Sequence, residues 1–354
     1  MTLSIGIVGL PNVGKSTLFT ALTRRGGLAA NYPFATIEPN VGIVEVPDAR
    51  LQRLADIVHP GRIVPATVEF VDIAGLVKGA NEGEGLGNQF LANIRETDAI
   101  VEVVRYFSDH DVVHVEGTAD PGRDSETIKT ELVLADLATL ERALPRLEKD
   151  ARRDRALAAK LDVARRLEEW MDAGRRARSF EASDEEKRLL ADLHLLTMKP
   201  LLYVANVDED AAAGEPAPLD GAAPLPISAQ VESEIAEMDA KEATEYLAML
   251  GLEQSGLERL VTAAYRLLGL QSFFTAGEME VKAWTVPIGA RAPQAAGVIH
   301  TDFERGFIKA ETASYEDYVE YGGEAGCRAA GKLRQEGREY LVRDGDVMHF
   351  KFNV

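Results

Sequence analysis

A single cysteine, Cys327, stands among 354 residues, so the chain has no internal disulfide and no cysteine-rich metal site. It sits in a Gly/Ala-rich stretch with no obvious base beside it, which argues against a nucleophilic role. Long apolar runs are also missing, and none approaches the roughly 18 residues that span a bilayer. The opening Met1-Thr2-Leu3-Ser4 has no basic region leading into an apolar stretch and a cleavage site. These absences lead us to expect a soluble cytoplasmic protein with no membrane partner, and separately we expect a monomer. Positive charge is scarce, 39 Lys and Arg against 58 Asp and Glu. The formal charge of −19 argues against non-specific attraction of the whole molecule to nucleic acid. No internal repeat or low-complexity tract is evident. Apolar content of 46% and charged content of 27% are ordinary for a globular protein. The length allows two or three domains.

What is present begins with Gly9-Leu10-Pro11-Asn12-Val13-Gly14-Lys15-Ser16-Thr17. An apolar run from Leu3 to Val8 reads as a buried strand before it, and Leu18 to Leu22 as the first turns of a helix after it. Gly-x-x-x-x-Gly-Lys-Ser between a strand and a helix is the context of a phosphate-binding loop. Its glycines let backbone N–H groups turn inward at a helix N-terminus, forming a nest for phosphate oxygens. Asn12, Val13, Gly14, Lys15, Ser16 and Thr17 are therefore assigned to nucleotide. Lys15 is expected at the β- and γ-phosphates and Ser16 on Mg²⁺.

Further parts follow. Thr36, in a Pro-punctuated loop before the strand Val41 to Val46, is placed to close over the γ-phosphate and complete the Mg²⁺ shell. The strand Thr67 to Asp72 ends in Asp72-Ile73-Ala74-Gly75, where Asp72 would hold Mg²⁺ through water and the Gly75 amide would touch the γ-phosphate. Gly79 to Gly87, with four glycines, reads as a mobile switch leading into a helix over Asn88 to Arg95. Asp98 to Arg105, Lys199 to Asn206 and a short strand at Pro226 to Gln230 continue an alternating β/α series, hence a mostly parallel sheet. Gly256 to Leu268 reads as its closing helix.

More than ninety residues separate the strand ending near Arg105 from the one starting at Lys199, so the interval holds an insertion. Leu132, Val133, Leu137, Leu140, Leu144 and Leu147, then Leu157, Leu161, Ala164, Leu167 and Met171, recur at helical steps. They predict two long helices turning around Asp150 to Arg155 into an antiparallel coiled-coil arm, with Pro145 kinking or ending the first. A third helix over Ser183 to Leu196 starts with a capping-box pattern. Between Arg142 and Arg178, twelve Lys/Arg stand against seven Asp/Glu, a basic arm at +5 on a remainder near −24. After Leu270, short β-type runs alternate with Gly/Pro turns and predict a small α+β domain. His300 and His349 fall in β-type segments and are read as structural rather than metal-ligating.

Taken together, the sequence resembles the YchF subfamily of Obg-like P-loop NTPases over essentially its whole length. The phosphate loop, Phe34-Ala35-Thr36-Ile37-Glu38-Pro39-Asn40, Asp72 to Ala80 and Gly83 to Phe90 carry the likeness. So do Phe273 to Gly277, Ala292 to Gly297, His300 to Ile308 and Asp344 to Met348. The resemblance implies an α/β P-loop G-domain over 1–125 and 198–272. It further implies an inserted helical coiled-coil arm over 126–197, and a C-terminal α+β TGS domain of β-grasp type over 273–354. It also implies ribosome or ribosomal-subunit contact, with RNA meeting the arm and the TGS domain.

Guanine-specific relatives carry Asn-Lys-x-Asp, whose Asp accepts from guanine N1–H and the exocyclic amine while the Lys stem packs on the base. Here the tetrad is Asn206-Val207-Asp208-Glu209, without that lysine or the correctly placed aspartate. A pocket losing two guanine hydrogen bonds discriminates poorly for guanine, by about 1–3 kcal/mol per unpaired group. Asn206, Val207 and Glu209 are assigned to the base, ATP is expected over GTP, and GTP binding through Asp208 is the alternative. Where a Ras-like glutamine would orient water stands Leu76, so isolated hydrolysis is expected to be slow. Lys15, Thr36 and Gly75 are the residues expected to act in it, and Ser16, Thr36 and Asp72 to hold Mg²⁺. K⁺ at Asn12 is one route to faster turnover in relatives. The expected activity is a Mg²⁺-dependent ATPase switch on the ribosome. A nucleotide-stabilised ribosome- or RNA-binding scaffold is the rival.

Overall fold

Strand and helix alternate from the first described residues onward. The computed structural model describes residues 3–25, 41–73, 86–108, 120–154 and 156–353. In chain order β1 (Ser4–Val8) leads to α1 (Lys15–Arg25), β2 (Val41–Glu45), α2 (Ala49–Val58), β3 (Ile63–Val64) and β4 (Thr67–Asp72). Then come α3 (Leu86–Glu96), β5 (Ala99–Arg105), α4 (Pro121–Ala151), α5 (Ala156–Asp172) and α6 (Asp184–Leu190). The series resumes with β6 (Leu201–Asn206), β7 (Leu225–Ile227), α7 (Ala229–Ile235), α8 (Ala240–Met249) and α9 (Gly256–Leu267). Two compact units divide the chain, Met1–Gly42 with Glu69–Leu257, and Ile43–Val68 with Glu258–Val354.

One sheet has the order β2-β4-β1-β5-β6-β7, the α/β arrangement expected from the alternating pattern. Its central strands run parallel, with Ile7 opposite both Asp72 and Val101. All seven residues of β5 are buried, as in a strand covered on both faces. This register brings the carboxyl ends of β1, β4, β5 and β6 to one edge, where ligand loops belong.

The insertion forms a helical hairpin. Val133, Leu140 and Leu144 of α4 pack on Val163, Ala164, Leu167 and Met171 of α5, and all of these but Val163 are positions the spacing singled out. The turn lies at 152–154, with the amides of Arg153 and Asp154 donating to the Asp150 carbonyl. Pro145 does not end α4, which continues to Ala151. It is exposed, and Leu140 and Leu144 in the turns before it hold the helix to its partner. The third helix begins as expected, Ser183 and Glu186 forming a capping box, but stops at Leu190 rather than Leu196. His194 turns into the left-handed region and sends the chain back toward α4. There Asp136, fully buried, accepts from the amides of Leu196 and Thr197 and from the Thr197 hydroxyl, each at 2.7 Å.

Beside the root of this hairpin lies a buried carboxyl with no part in the phosphate loop. Glu102, in the middle of β5, is paired in register with Tyr203 of β6, and one of its oxygens has no partner among the described residues. Burial pushes its pKa up to about 7, against the pull of Ser125, Arg176 and Arg178 and with the help of Asp220. A carboxyl raised on folding binds more protons in the native state, so its contribution to stability is present at low pH and is lost as pH rises from about 4.5 through 7. Relative to Glu102→Gln, the wild-type protein should lose roughly 3 kcal/mol of stability across that window. Urea unfolding of both proteins at a series of pH values measures the difference, and parallel curves would contradict the assignment.

The second unit adds β8 (Leu270–Ala276), β9 (Val281–Pro287), α10 (Ala292–Ile299), α11 (Thr301–Arg305), β10 (Phe307–Ala313), α12 (Tyr315–Glu320), α13 (Glu324–Ala329), β11 (Arg334–Glu336) and β12 (Val347–Phe352). Its sheet order is β11-β10-β12-β8-β9-β3, an α+β arrangement. Phe273, Phe307 and Phe350 fill the core against the alanines of α10, with Phe273 edge-on to Phe350 at 5.8 Å. The His300 ring nitrogen accepts from the Asp302 amide and so caps α11. His349 stands with Glu311 and Glu324, close enough to suggest a metal cluster, but Arg328 bridges both carboxylates and Lys351 approaches Glu311. Cys327 is buried, its thiol pushed up by burial.

Candidate nucleotide site

β1 delivers the chain to the phosphate loop at the carboxyl edge of the first sheet. Two residues of the loop have positive φ, Asn12 at 64° and Gly14 at 88°. Gly9 also lacks room for a side chain, because a Cβ would fall 2.8 Å from the Val103 carbonyl oxygen. The tight bend thus depends on glycine at the two positions that the spacing singled out. Lys15 opens α1 and is nearly buried, forming an ion pair with Asp72 at the end of β4. Ser16 is exposed in the same first turn. Thr36, Gly75, Leu76 and the glycine-rich segment 79–85 lie outside the described residues.

Asn206 ends β6 and ties the site together. Its Nδ2 donates to the Val13 carbonyl at 2.8 Å, and its Oδ1 accepts from the Ala229 amide at 2.9 Å. The side chain is buried, so it fixes the distance between the phosphate loop and α7. Nδ2 keeps a second N–H and Oδ1 a second lone pair, so Asn206 braces the loop and also lines a cavity with polar groups that a base can meet.

A cavity of about 730 Å³ opens beside this brace, lined by Asn12, Gly14 and Thr17 on one side and by Val207, Asp208 and residues of α7 on another. Phe107 and Ser108 close a third side. Arg105 holds Phe107 by stacking at 4.3 Å from its ring, and the Ser108 amide donates to Asp208 at 3.1 Å. Ser228 and Glu234 also line the space, and Ser228 caps α7. No Lys, Arg or His lines it among the described residues, so its polar groups are hydroxyls, amides and two carboxylates. A flat, neutral, partly apolar ring suits such walls.

The structure thus brings Asn12, Gly14, Thr17, Asn206 and Val207 around one cavity, with Lys15, Ser16 and Asp72 in the adjoining loop and strand end. Glu209 does not join them. It turns out through a short helix at Glu209–Ala211, is exposed, and accepts from the Tyr246 hydroxyl at 3.0 Å. Phe107, Ser108, Ser228 and Glu234 were not singled out from the sequence. Ser228-Ala229-Gln230 offered a signal, a strand running into a helix at the carboxyl edge, but nothing tied it to the phosphate loop before Asn206 was seen to bridge them.

Comparison with known proteins places these features in context. A family model described as "50S ribosome-binding GTPase" matches residues 4–136, and the model YchF-GTPase_C, described as "Protein of unknown function (DUF933)", matches residues 270–353. The chain is 54% identical to the "Ribosome-binding ATPase YchF" of Pasteurella multocida and 53% identical to that of Bacillus subtilis, with full coverage of both chains in each case. Among solved structures it resembles the Schizosaccharomyces pombe YchF GTPase, with a TM-score of 0.89 and 38% identity over 99% of this chain and 98% of that one. These names disagree about the base. The walls of the cavity are the better guide to it, since a fold shared with GTPases does not choose the purine.

Proposed function

The chain belongs to the YchF family, and on that footing we propose that it is a cytoplasmic, ribosome-binding ATPase that takes ATP in preference to GTP. The observation that carries the base preference is the cavity wall at Val207 and Asp208, where no lysine stem packs and the carboxylate accepts from the Ser108 amide. Glu209, the residue at the guanine-reading position, is outside the lining. Adenine presents an N6 donor and needs no bidentate acid.

Lys15 and the loop amides would hold the phosphates. The donor set fits Mg²⁺, because the Ser16 hydroxyl and the Asp72 carboxylate are hard oxygen ligands at the start of α1 and the end of β4. When bound, Mg²⁺ neutralises phosphate charge. Asp72, here paired with Lys15, would help hold the metal, and Lys15 would reach phosphate oxygens. Thr36 would complete the shell and the Gly75 amide would sense the γ-phosphate, as in nucleotide switches. With Leu76 at the water-orienting position, hydrolysis is slow without help from the ribosome or from K⁺ near Asn12. The basic hairpin α4–α5, which we read as a coiled-coil arm, and the C-terminal unit, which we read as a TGS domain, supply the ribosomal contacts, and the protein acts as a monomer.

Co-sedimentation with ribosomes in ATP, ADP, GTP or no nucleotide tests this reading. Pelleting should be strongest with ATP and fall severalfold when Arg152 and Arg153 at the hairpin turn are changed to glutamate. Equal pelleting under all four conditions would favour a scaffold whose nucleotide is only structural.

A further inference from the structure

The surroundings of Tyr246 bear on how guanine is refused. We propose that Tyr246 is a positioning residue for base selection, whose hydroxyl holds the Glu209 carboxylate away from the cavity and so denies guanine its paired acceptor. The proposal rests on the ATP preference argued above and names a device behind it.

Glu209 follows Asp208, which lines the cavity, so its side chain starts at the rim. Yet its carboxylate is turned to the Tyr246 hydroxyl, 3.0 Å from Oε1. The same hydroxyl stands 2.8 Å from Oε2 of Glu234, which does line the cavity. Oε1 of Glu234 accepts in turn from the Gln230 side-chain amide at 3.1 Å. The single phenol hydrogen is within reach of either of two carboxylates that would otherwise repel, and the Tyr246 pKa is raised by the hydrogen bond to Glu234, then by burial and by Glu209. The ring itself packs against the apolar cluster of Val231, Ile235, Ala243 and Leu247, which fixes where the hydroxyl points.

The chemistry of the two purines makes this arrangement selective. Guanine offers N1–H and an exocyclic amine side by side, two donors that a carboxylate accepts as a charge-assisted pair. Adenine offers one amine beside N1, which is an acceptor and repels a carboxylate. A Glu209 free to swing inward would favour guanine. Held by Tyr246, it contributes to neither base.

Tyr246→Phe keeps the ring and its packing while removing the hydroxyl. Titration of purified protein with ATP and with GTP at fixed Mg²⁺ should show GTP affinity rising about tenfold relative to ATP in this variant. Glu209→Ala alone should leave the ratio as in wild type, and Tyr246→Phe combined with Glu209→Ala should return it there. A Tyr246→Phe ratio within twofold of wild type overturns the proposal. So does a gain that survives Glu209→Ala, or a change of ratio in Glu209→Ala alone. A wild-type preference for GTP would sink the ATP reading by itself, while Tyr246→Phe would still have to move the ratio toward GTP through Glu209.

Discussion

Gly14→Ala is expected to weaken nucleotide binding by about 100-fold or more, roughly 3 kcal/mol on the affinity scale. Gly14 has φ of 88°, and a Cβ there would lie 2.2 Å from the Asn206 amide nitrogen. An alanine therefore meets a left-handed backbone cost of about 1–2 kcal/mol and a collision at the same time. The collision matters more, because Asn206 has nowhere to retreat. It is buried between the Val13 carbonyl and the Ala229 amide, and displacing it leaves both groups unpaired at about 1–3 kcal/mol each. The phosphate loop and the cavity wall are thus disturbed together. Gly174→Ala separates the two causes, since Gly174 has φ of 73° with nothing within 4 Å of a Cβ. That variant should lose only about 1 kcal/mol of stability and none of its nucleotide affinity. Titration with ATP and denaturant unfolding of the two variants would show this, and equal nucleotide affinities would contradict it.

Asp136→Ala should destabilise the protein by about 3–5 kcal/mol. The Asp136 carboxylate is the anchor at which the returning chain meets α4, accepting three hydrogen bonds in a site without solvent. Truncation leaves two backbone amides and a hydroxyl without their acceptor. Thr197→Val removes the hydroxyl, which also accepts from the buried Ala177 amide at 2.9 Å, and should cost about 2 kcal/mol. Urea unfolding of both measures the ratio. If Asp136→Ala cost no more than Thr197→Val, the anchor would be something else, with the apolar cluster of α4 and α5 the first candidate.

The parts of this molecule legible in its sequence are those whose physics is local. Gly9 to Thr17 declares a phosphate loop because the turn, the donor nest and the helix start lie within nine consecutive residues. The hairpin insertion was legible because leucines at helical steps require a partner face, and the Ser183 capping box because its two hydrogen bonds join residues three apart. Legibility ends where a residue's role depends on what folding sets beside it. The sequence assigns Asn206 to the base, and only the fold shows that it also ties Val13 to Ala229. Glu209 looked like its companion until Tyr246, 37 residues on, was found holding its carboxylate. Pro145 and the early stop of α6 follow the same rule, since exposure in one case and the pull of Asp136 in the other decide them. Ile63 and Val64 fall within the range 1–125 assigned to the G-domain, and only the fold shows them paired with Val281 and Lys282 in the other sheet.

The central claim is that this phosphate loop and its neighbouring cavity bind ATP in preference to GTP. Equilibrium titration of the purified wild-type protein with ATP and with GTP, both at saturating Mg²⁺ and with Lys15→Ala as the blank, tests it most directly. ATP should bind about tenfold or more tightly than GTP, and Lys15→Ala should bind neither appreciably. GTP binding as tightly as ATP, or more tightly, would contradict the account.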